Sequence, residues 1–244
     1  MIETLTALFF AHVLADFVFQ NRWMVRHKRN PLVILLHILI VLACACAALG
    51  LAAVPALLAL ATLHLAIDLV KTYGARDSAA AFLLDQIAHL AVIGGIALYA
   101  PGLWNAGLWA AQTEIAAPLI LHLMALTGGG LYAIRAGGFA VGKLMAPFGA
   151  DFTSGGLPSG GLMIGLLERG LIYLLVLFGQ AASIGFLIAA KSVMRFETAS
   201  KEQKAAEYVI IGTLASFGWA LAVTMGVMTL RSALPALEIA PSAH

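Results

Sequence analysis

One apolar segment organises the rest of the chain, and it reads ALLALATLHLAIDLVK from Ala56 to Lys71. It contains a histidine and an aspartate, His64 and Asp68, four residues apart. Residues with this spacing lie on one face of an α-helix, one turn from each other. Ionisable side chains are costly in hydrocarbon and should face the interior of a bundle. The segment therefore predicts a membrane helix that carries a polar site.

The same spacing recurs in the neighbouring apolar segments. His12 and Asp16 repeat it upstream, Asp85 and His89 repeat it in reverse order downstream, and His37 lies alone in a fourth segment. If the four helices alternate in direction, all four polar sets lie at a similar depth, in the cytoplasmic half of the membrane. We therefore predict one cluster that comprises His12, Asp16, His37, His64, Asp68, Asp85 and His89.

Composition supports a membrane protein. The chain has 244 residues, of which 62% are hydrophobic and only 11% are charged. A soluble domain of this length could not bury so much apolar surface, so lipid must be its solvent. The net charge of +2 and the lack of a basic stripe argue against a nucleic-acid partner.

The apolar runs predict an all-α, polytopic transmembrane helical bundle with about seven clear spans and one irregular, Gly-rich or re-entrant segment. The spans are predicted at residues 4–20, 32–50, 56–71, 79–99, 116–134, 162–190 and 206–230. The cationic loop from Arg22 to Arg29 should be cytoplasmic by the positive-inside rule, with an exterior N-terminus. This arrangement predicts a multi-pass protein of the cell inner (plasma) membrane.

The predicted organisation along the chain has five parts. Residues 1–100 form a four-helix His/Asp core, and residues 101–134 form an exterior loop with Trp104 and Trp109 followed by the fifth span. Residues 135–161 are a Gly-rich irregular segment. Residues 162–232 form two long helices with a polar cytoplasmic connection, and residues 233–244 are a tail. We expect the Gly-rich segment to cover or gate the cluster's side of the bundle, because glycine lowers the cost of unusual backbone.

A short internal repeat lies in and beyond the Gly-rich segment. The pattern G-G-x-x-x-G-x-L occurs from Gly137 to Leu144 and again from Gly160 to Leu167. Small residues with this spacing permit close approach of helices. A paired helical feature and a chance match in a Gly-rich background remain the two interpretations.

Several motifs resemble a known family. They are His12-Val13-Leu14-Ala15-Asp16-Phe17-Val18-Phe19-Gln20, His37, His64 with Asp68 and Lys71, and Asp85-Gln86 with His89, followed in the second half by Leu167-Glu168-Arg169, Gly179-Gln180, Ala189-Ala190-Lys191-Ser192, Glu207-Tyr208 and Gly212-Thr213-Leu214. Together they resemble the bacterial integral-membrane family of unknown function DUF3307. The resemblance implies a membrane protein and carries over no activity or catalytic residue.

The cluster's residue types favour a divalent metal, zinc above manganese or iron. Seven candidate ligands exceed one tetrahedral set, so either two ions bind or some aspartates orient histidines. With an open coordination position, the ion would support hydrolysis of a lipid or membrane-embedded substrate, and Asp16, Asp68 and Asp85 are the candidate bases or orienting groups.

Two other classes of function remain open. Intramembrane histidines and aspartates also form proton relays, so the cluster could serve a proton- or ion-coupled transporter or channel. A non-enzymatic scaffold or sensor would use the same residues as a hydrogen-bonded polar core. Elsewhere in the chain, Lys191, Ser192 and Arg195 are candidates to contact a lipid phosphate, with plain anchoring at the membrane surface as the alternative.

Overall fold

The computed structural model describes residues 1–50, 55–151, 159–199 and 203–237, and every regular element within these ranges is helical. The helices are α1 (Ile2–Leu14), α2 (Arg22–Arg26), α3 (Pro31–Leu49), α4 (Pro55–Gly74), α5 (Ala79–Tyr99), α6 (Ala116–Leu131), α7 (Gly137–Met145), α8 (Gly160–Leu177), α9 (Ser183–Ala199) and α10 (Gln203–Ser232). Wider π-helical turns follow α1 at Ala15–Phe19 and α6 at Tyr132–Ala136, and a 3-10 helix at Ala146–Asp151 follows α7.

Seven helical segments among the described residues are long and apolar enough to cross a membrane. They are Ile2–Phe19, Pro31–Leu49, Pro55–Gly74, Ala79–Tyr99, Ala116–Phe148, Gly160–Leu177 and Gln203–Ser232. The predicted class, an all-α polytopic bundle with about seven spans, is confirmed.

Local sequence signals set the ends of the helix that carries His37. Asn30 caps the start of α3, where its side-chain oxygen accepts a hydrogen bond from the Leu32 backbone N–H at 2.9 Å, and Pro31 takes the first helical position. Gly50 ends the helix in the left-handed conformation, with φ at +63°. A Cβ on Gly50 would lie 2.8 Å from the Trp109 ring, so glycine is required there for packing as well.

The predicted span at 162–190 is wrong, because it is two helices. α8 ends at Leu177 and α9 begins at Ser183, with Gly179 at a φ of +71° between them. Residues 162–232 therefore contain three helices rather than two. Hydropathy does not detect the break, because the residues on both sides of it remain apolar.

The Gly-rich segment is more regular than predicted. Irregular backbone is wrong for residues 137–145, which form α7 and continue from α6 through the π-helical turn. Gly137 serves close packing instead, since a Cβ there would lie 2.5 Å from the Trp219 ring. Residues 152–158 lie outside the described residues, and the predicted covering of the cluster stays a prediction.

The chain forms two compact units. Unit 1 comprises Met1–Arg76, Leu83–Gly129 and the chain from Thr229 onwards, and unit 2 comprises Asp77–Phe82 and Gly130–Met228. In unit 1, α1 packs on α3 and α3 packs on α4. In unit 2, α8 packs on α7, on α9 and on the π-helical turn at 132–136.

The predicted exterior loop is anchored to the core of unit 1. Trp104 is 3% exposed, so it packs against the protein rather than facing its surroundings, and the exterior position of the loop stays a prediction. Its backbone N–H donates to the Thr4 hydroxyl at 3.1 Å, and that hydroxyl donates to the Pro101 carbonyl at 2.8 Å. Trp109 is 37% exposed and donates from its ring N–H to the Ala47 carbonyl. The loop is therefore hydrogen-bonded to α1 and α3.

Candidate metal centre

Unit 1 brings the seven predicted residues into one buried cluster. α1 and its π-helical turn supply His12 and Asp16, α3 supplies His37, α4 supplies His64 and Asp68, and α5 supplies Asp85 and His89. Six of the seven are buried, and the Asp16 side chain is 10% exposed. The ring centres of His64 and His89 are 4.2 Å apart, and those of His37 and His64 are 5.3 Å apart.

The π-helical turn positions Asp16. The backbone N–H of Gln20 donates to the Ala15 carbonyl at 2.9 Å, which is an i to i−5 bond and widens the helix by one residue. Such turns are rare and often occur at functional sites. The Asp16 carboxylate then reaches histidines on two other helices, His37 and His64.

His37, His64 and Asp68 offer ligand atoms that lie within 4.8 Å of one another, and Asp16 Oδ1 lies close to both of these histidines. The nitrogens His37 Nε2 and His64 Nε2 are 3.3 Å apart. Asp16 Oδ1 lies 3.5 Å from each of them. Asp68 Oδ2 lies 3.5 Å from His37 Nε2 and 3.9 Å from His64 Nε2. Zinc bonds of 2.0–2.1 Å with tetrahedral angles place ligand atoms about 3.4 Å apart, which is close to the five separations given above.

The His–Asp separations in this set are longer than ordinary hydrogen bonds. N–H···O bonds in proteins have donor–acceptor distances of 2.7–3.2 Å, and the His–Asp separations above are 3.5–3.9 Å. Asp16 Oδ1 and Asp68 Oδ2 are buried and have no hydrogen-bond partner among the described residues. Buried polar atoms without a partner are rare and costly. A bound cation would satisfy such oxygens.

Two lysines form ion pairs with two of the three aspartates. Lys28 Nζ donates to Asp68 Oδ1 at 2.7 Å, and Lys71 Nζ donates to Asp85 Oδ2 at 2.5 Å. Three aspartates and two lysines leave one net negative charge when the histidines are neutral, which a divalent cation would offset. Sequence reasoning treated Lys28 as a marker of topology and missed this contact, since long lysine stems reach inward from helix ends.

His12 and His89 lie beside the four-atom set. His89 Nδ1 lies 2.8 Å from the Asp85 backbone carbonyl, and its buried Nε2 has no hydrogen-bond partner among the described residues. His12 Nε2 lies 3.4 Å from the Gln86 side-chain oxygen, and its ring stacks on that of His89. A cavity of about 10 Å³ is lined by His12, His64 and His89 together with apolar residues. That volume is near the minimum for one water molecule.

The candidate lipid-phosphate residues belong to unit 2. Lys191 in α9 pairs with Glu168 at 2.7 Å, and the Ser192 hydroxyl donates to the Ile188 carbonyl. The Arg195 side chain lies outside what the structure describes. Within unit 1, His122 Nε2 lies 3.0 Å from the Pro235 carbonyl and so connects α6 to the start of the tail.

Fold and site together define a polytopic helical membrane protein with a buried His/Asp cluster. Residues 4–116 of this chain match the family described as "Protein of unknown function (DUF3307)", which confirms the resemblance for that part. The matched range contains all seven cluster residues, and the second-half motifs lie beyond it. No curated protein and no solved structure matches the chain.

Proposed function

We propose that unit 1 binds a divalent metal, zinc above others, through His37, His64, Asp16 and Asp68. The observation that carries the proposal is the set of four candidate ligand atoms from three helical segments, five of whose pairwise separations are 3.3–3.9 Å. Two imidazoles and two carboxylates suit zinc, and helical bundles build metal sites from ligands on facing helices.

We further propose that the centre supports hydrolysis. If bound by these residues, a zinc ion would supply Lewis acidity to a substrate oxygen and would acidify a water molecule, provided that one coordination position is open. His89 Nε2 would accept the proton of a water in the adjacent cavity. The water oxygen would add to the acyl carbon or phosphorus, the ester bond would break, and the proton would pass to the departing alcohol.

A lipid-like substrate fits the surroundings. An apolar cavity of about 570 Å³ in unit 1 is lined by residues of α1, its π-helical turn, α3 and α6, among them Phe10, Phe19 and Ile40. A cavity of this size and character suits an acyl or prenyl chain. We propose the inner (plasma) membrane as its location, with the loop from Arg22 to Arg29 on the cytoplasmic side by the positive-inside rule.

Replacing His89 by glutamine is expected to lower lipid hydrolysis at least about 100-fold while bound zinc is retained. The reason is that His89 lies outside the four-atom set but would carry the proton, and a general base contributes about 10²–10⁴ in rate. The measurement is mass spectrometry of products from purified protein incubated with total membrane lipid, with zinc or with chelator.

The matched control for this experiment is His27→Gln, because His27 is an exposed histidine in the cationic loop. It should hydrolyse lipid at the wild-type rate. If zinc-loaded wild type forms no product that chelator abolishes, the hydrolysis proposal fails and a structural metal site remains.

A proton or ion path is the second candidate function. The observation that favours it is the pair of lysines that bridge the surface to the cluster: the Lys28 and Lys71 side chains are 15% and 32% exposed, while their aspartate partners are 2% and 3% exposed. Chains of ionisable groups of this kind carry protons through membrane proteins.

Under this second candidate, replacing Lys71 by methionine should reduce proton flux into liposomes at least about tenfold, because the exposed end of the path is removed. A pH-sensitive dye inside proteoliposomes measures the flux. Lys143→Met is the control, since Lys143 pairs with the exposed Asp77 in unit 2. Wild-type protein with no flux above empty liposomes would reject transport of protons.

A further inference from the structure

Unit 2 contains a second polar site, separate in its residues from the His/Asp cluster. Four helices, α7, α8, α9 and α10, line an open cavity of about 360 Å³. Its polar lining consists of charged and hydroxyl side chains, and much of the rest is glycine. The charged and hydroxyl residues are Glu168, Arg169, Lys191, Tyr208, Thr213 and Ser216. Cavities of this size hold small ligands or parts of larger ones.

Arg169 is the central feature of this cavity. It is 2% exposed, although it carries a permanent positive charge. Its Nε donates to the Ile134 carbonyl at 3.0 Å, and its Nη1 donates to the Ser216 hydroxyl at 3.1 Å. Nη2 has no hydrogen-bond partner in the part of the chain that the structure describes. These bonds fix the guanidinium group and leave donor capacity for a ligand.

The charge of the cavity favours an anion. Lys191 Nζ binds the Glu168 carboxylate at 2.7 Å, so that acid is already paired. Arg169 has no carboxylate within 4.0 Å among the described residues. Two cations and one anion leave a net charge of +1. A buried charge is costly unless it is compensated, so an anionic ligand would stabilise this arrangement.

The two glycine repeats make room for the guanidinium group. Gly138 from the first repeat and Gly165 from the second lie against it, since a Cβ would be 3.1 Å from Nη2 or 3.0 Å from Nη1. Gly142 and Gly161 line the same cavity, and a Cβ on either would meet no atom within 4 Å. The repeat in the sequence therefore corresponds to a paired helical feature around Arg169.

We propose that this cavity binds a phosphate group, presented by the head group of an anionic lipid or by free phosphate. The planar guanidinium group offers adjacent N–H donors that match phosphate oxygens, and Lys191 adds a second cation nearby. Basic pockets between membrane helices bind anionic lipid head groups in this way. The proposal needs no metal and is independent of the function proposed for unit 1.

The test uses the whole chain, delipidated in detergent. The probes are phosphatidylglycerol, diacylglycerol with the same acyl chains, and inorganic phosphate. Native mass spectrometry measures how much of each probe is bound. Wild type should bind phosphatidylglycerol or inorganic phosphate, and phosphatidylglycerol at least tenfold more tightly than diacylglycerol. Arg169→Gln should weaken phosphate-dependent binding at least tenfold. Arg135→Gln removes an exposed charge from the same unit and should bind like wild type.

A second variant keeps the test decisive if Arg169→Gln folds poorly. Gly142→Leu fills the cavity where a Cβ meets no atom, keeps Arg169 and should also weaken binding at least tenfold. Competition by inorganic phosphate assigns free phosphate as a ligand, and lack of competition assigns the lipid head group. The proposal is overturned if neither probe binds wild type, or if Gly142→Leu binds phosphatidylglycerol as tightly as wild type.

Discussion

Replacing His64 by alanine is expected to lower bound zinc from about one ion per chain to less than a tenth of that value. His64 Nε2 contributes three of the five measured separations in the four-atom set, those to His37, Asp16 and Asp68. Without it, two carboxylate oxygens and one nitrogen remain, which is an incomplete set for tetrahedral zinc. Elemental analysis of detergent-purified protein measures the difference directly.

His122→Ala is the matched control for this substitution. His122 is also a buried histidine of unit 1, but its Nε2 lies 3.0 Å from the Pro235 carbonyl rather than near the cluster. The control should keep the wild-type zinc content. Wild-type protein without bound metal, or equal metal in wild type and His64→Ala, would contradict the metal centre.

Replacing Asp16 by asparagine is expected to lower the melting temperature when zinc is present, and to leave it unchanged or raise it when zinc is removed. With zinc at about 1,000 times its Kd, binding stabilises the wild type by about 4 kcal/mol, and the variant should lose most of this stabilisation. With chelator, the variant should melt at the same temperature as wild type or higher. The substitution removes a buried charge whose Oδ1 has no hydrogen-bond partner among the described residues.

The control for this experiment is Asp77→Asn, because the Asp77 side chain is 85% exposed and pairs only with Lys143 among the described residues. Its melting temperature should match that of wild type in both conditions, since exposed ion pairs contribute little. An Asp16→Asn protein that is destabilised equally with zinc and with chelator would support the hydrogen-bonded polar core instead. Melting curves in detergent distinguish the two outcomes.

The sequence alone was sufficient to predict most helices near the cluster. The spans predicted at 4–20, 32–50 and 79–99 agree with the observed segments Ile2–Phe19, Pro31–Leu49 and Ala79–Tyr99. Hydrophobic length, proline and glycine are local signals, so they are visible without the fold. The face shared by His64 and Asp68 is equally local, because an α-helix fixes the angle between residues four apart.

Hydropathy and residue type did not predict two features of the fold. The apolar run at 162–190 reads as one helix, but Gly179 in its left-handed conformation separates α8 from α9. The burial of Trp104 was not predicted either, because its backbone N–H bonds to the Thr4 hydroxyl, 100 positions earlier in the chain. In each case a backbone conformation or a distant partner decided the outcome, and hydropathy records neither.

By itself the sequence determined a helical membrane protein with polar faces on four consecutive helices. Only the tertiary structure decided which atoms meet: the pairing of Lys28 with Asp68 joins residues 40 positions apart, and Asp16 reaches His37 and His64 through a π-helical turn. The physical reason is that periodicity fixes directions within a helix. The separations of 3.3–3.9 Å that suit a metal arise from the packing between helices.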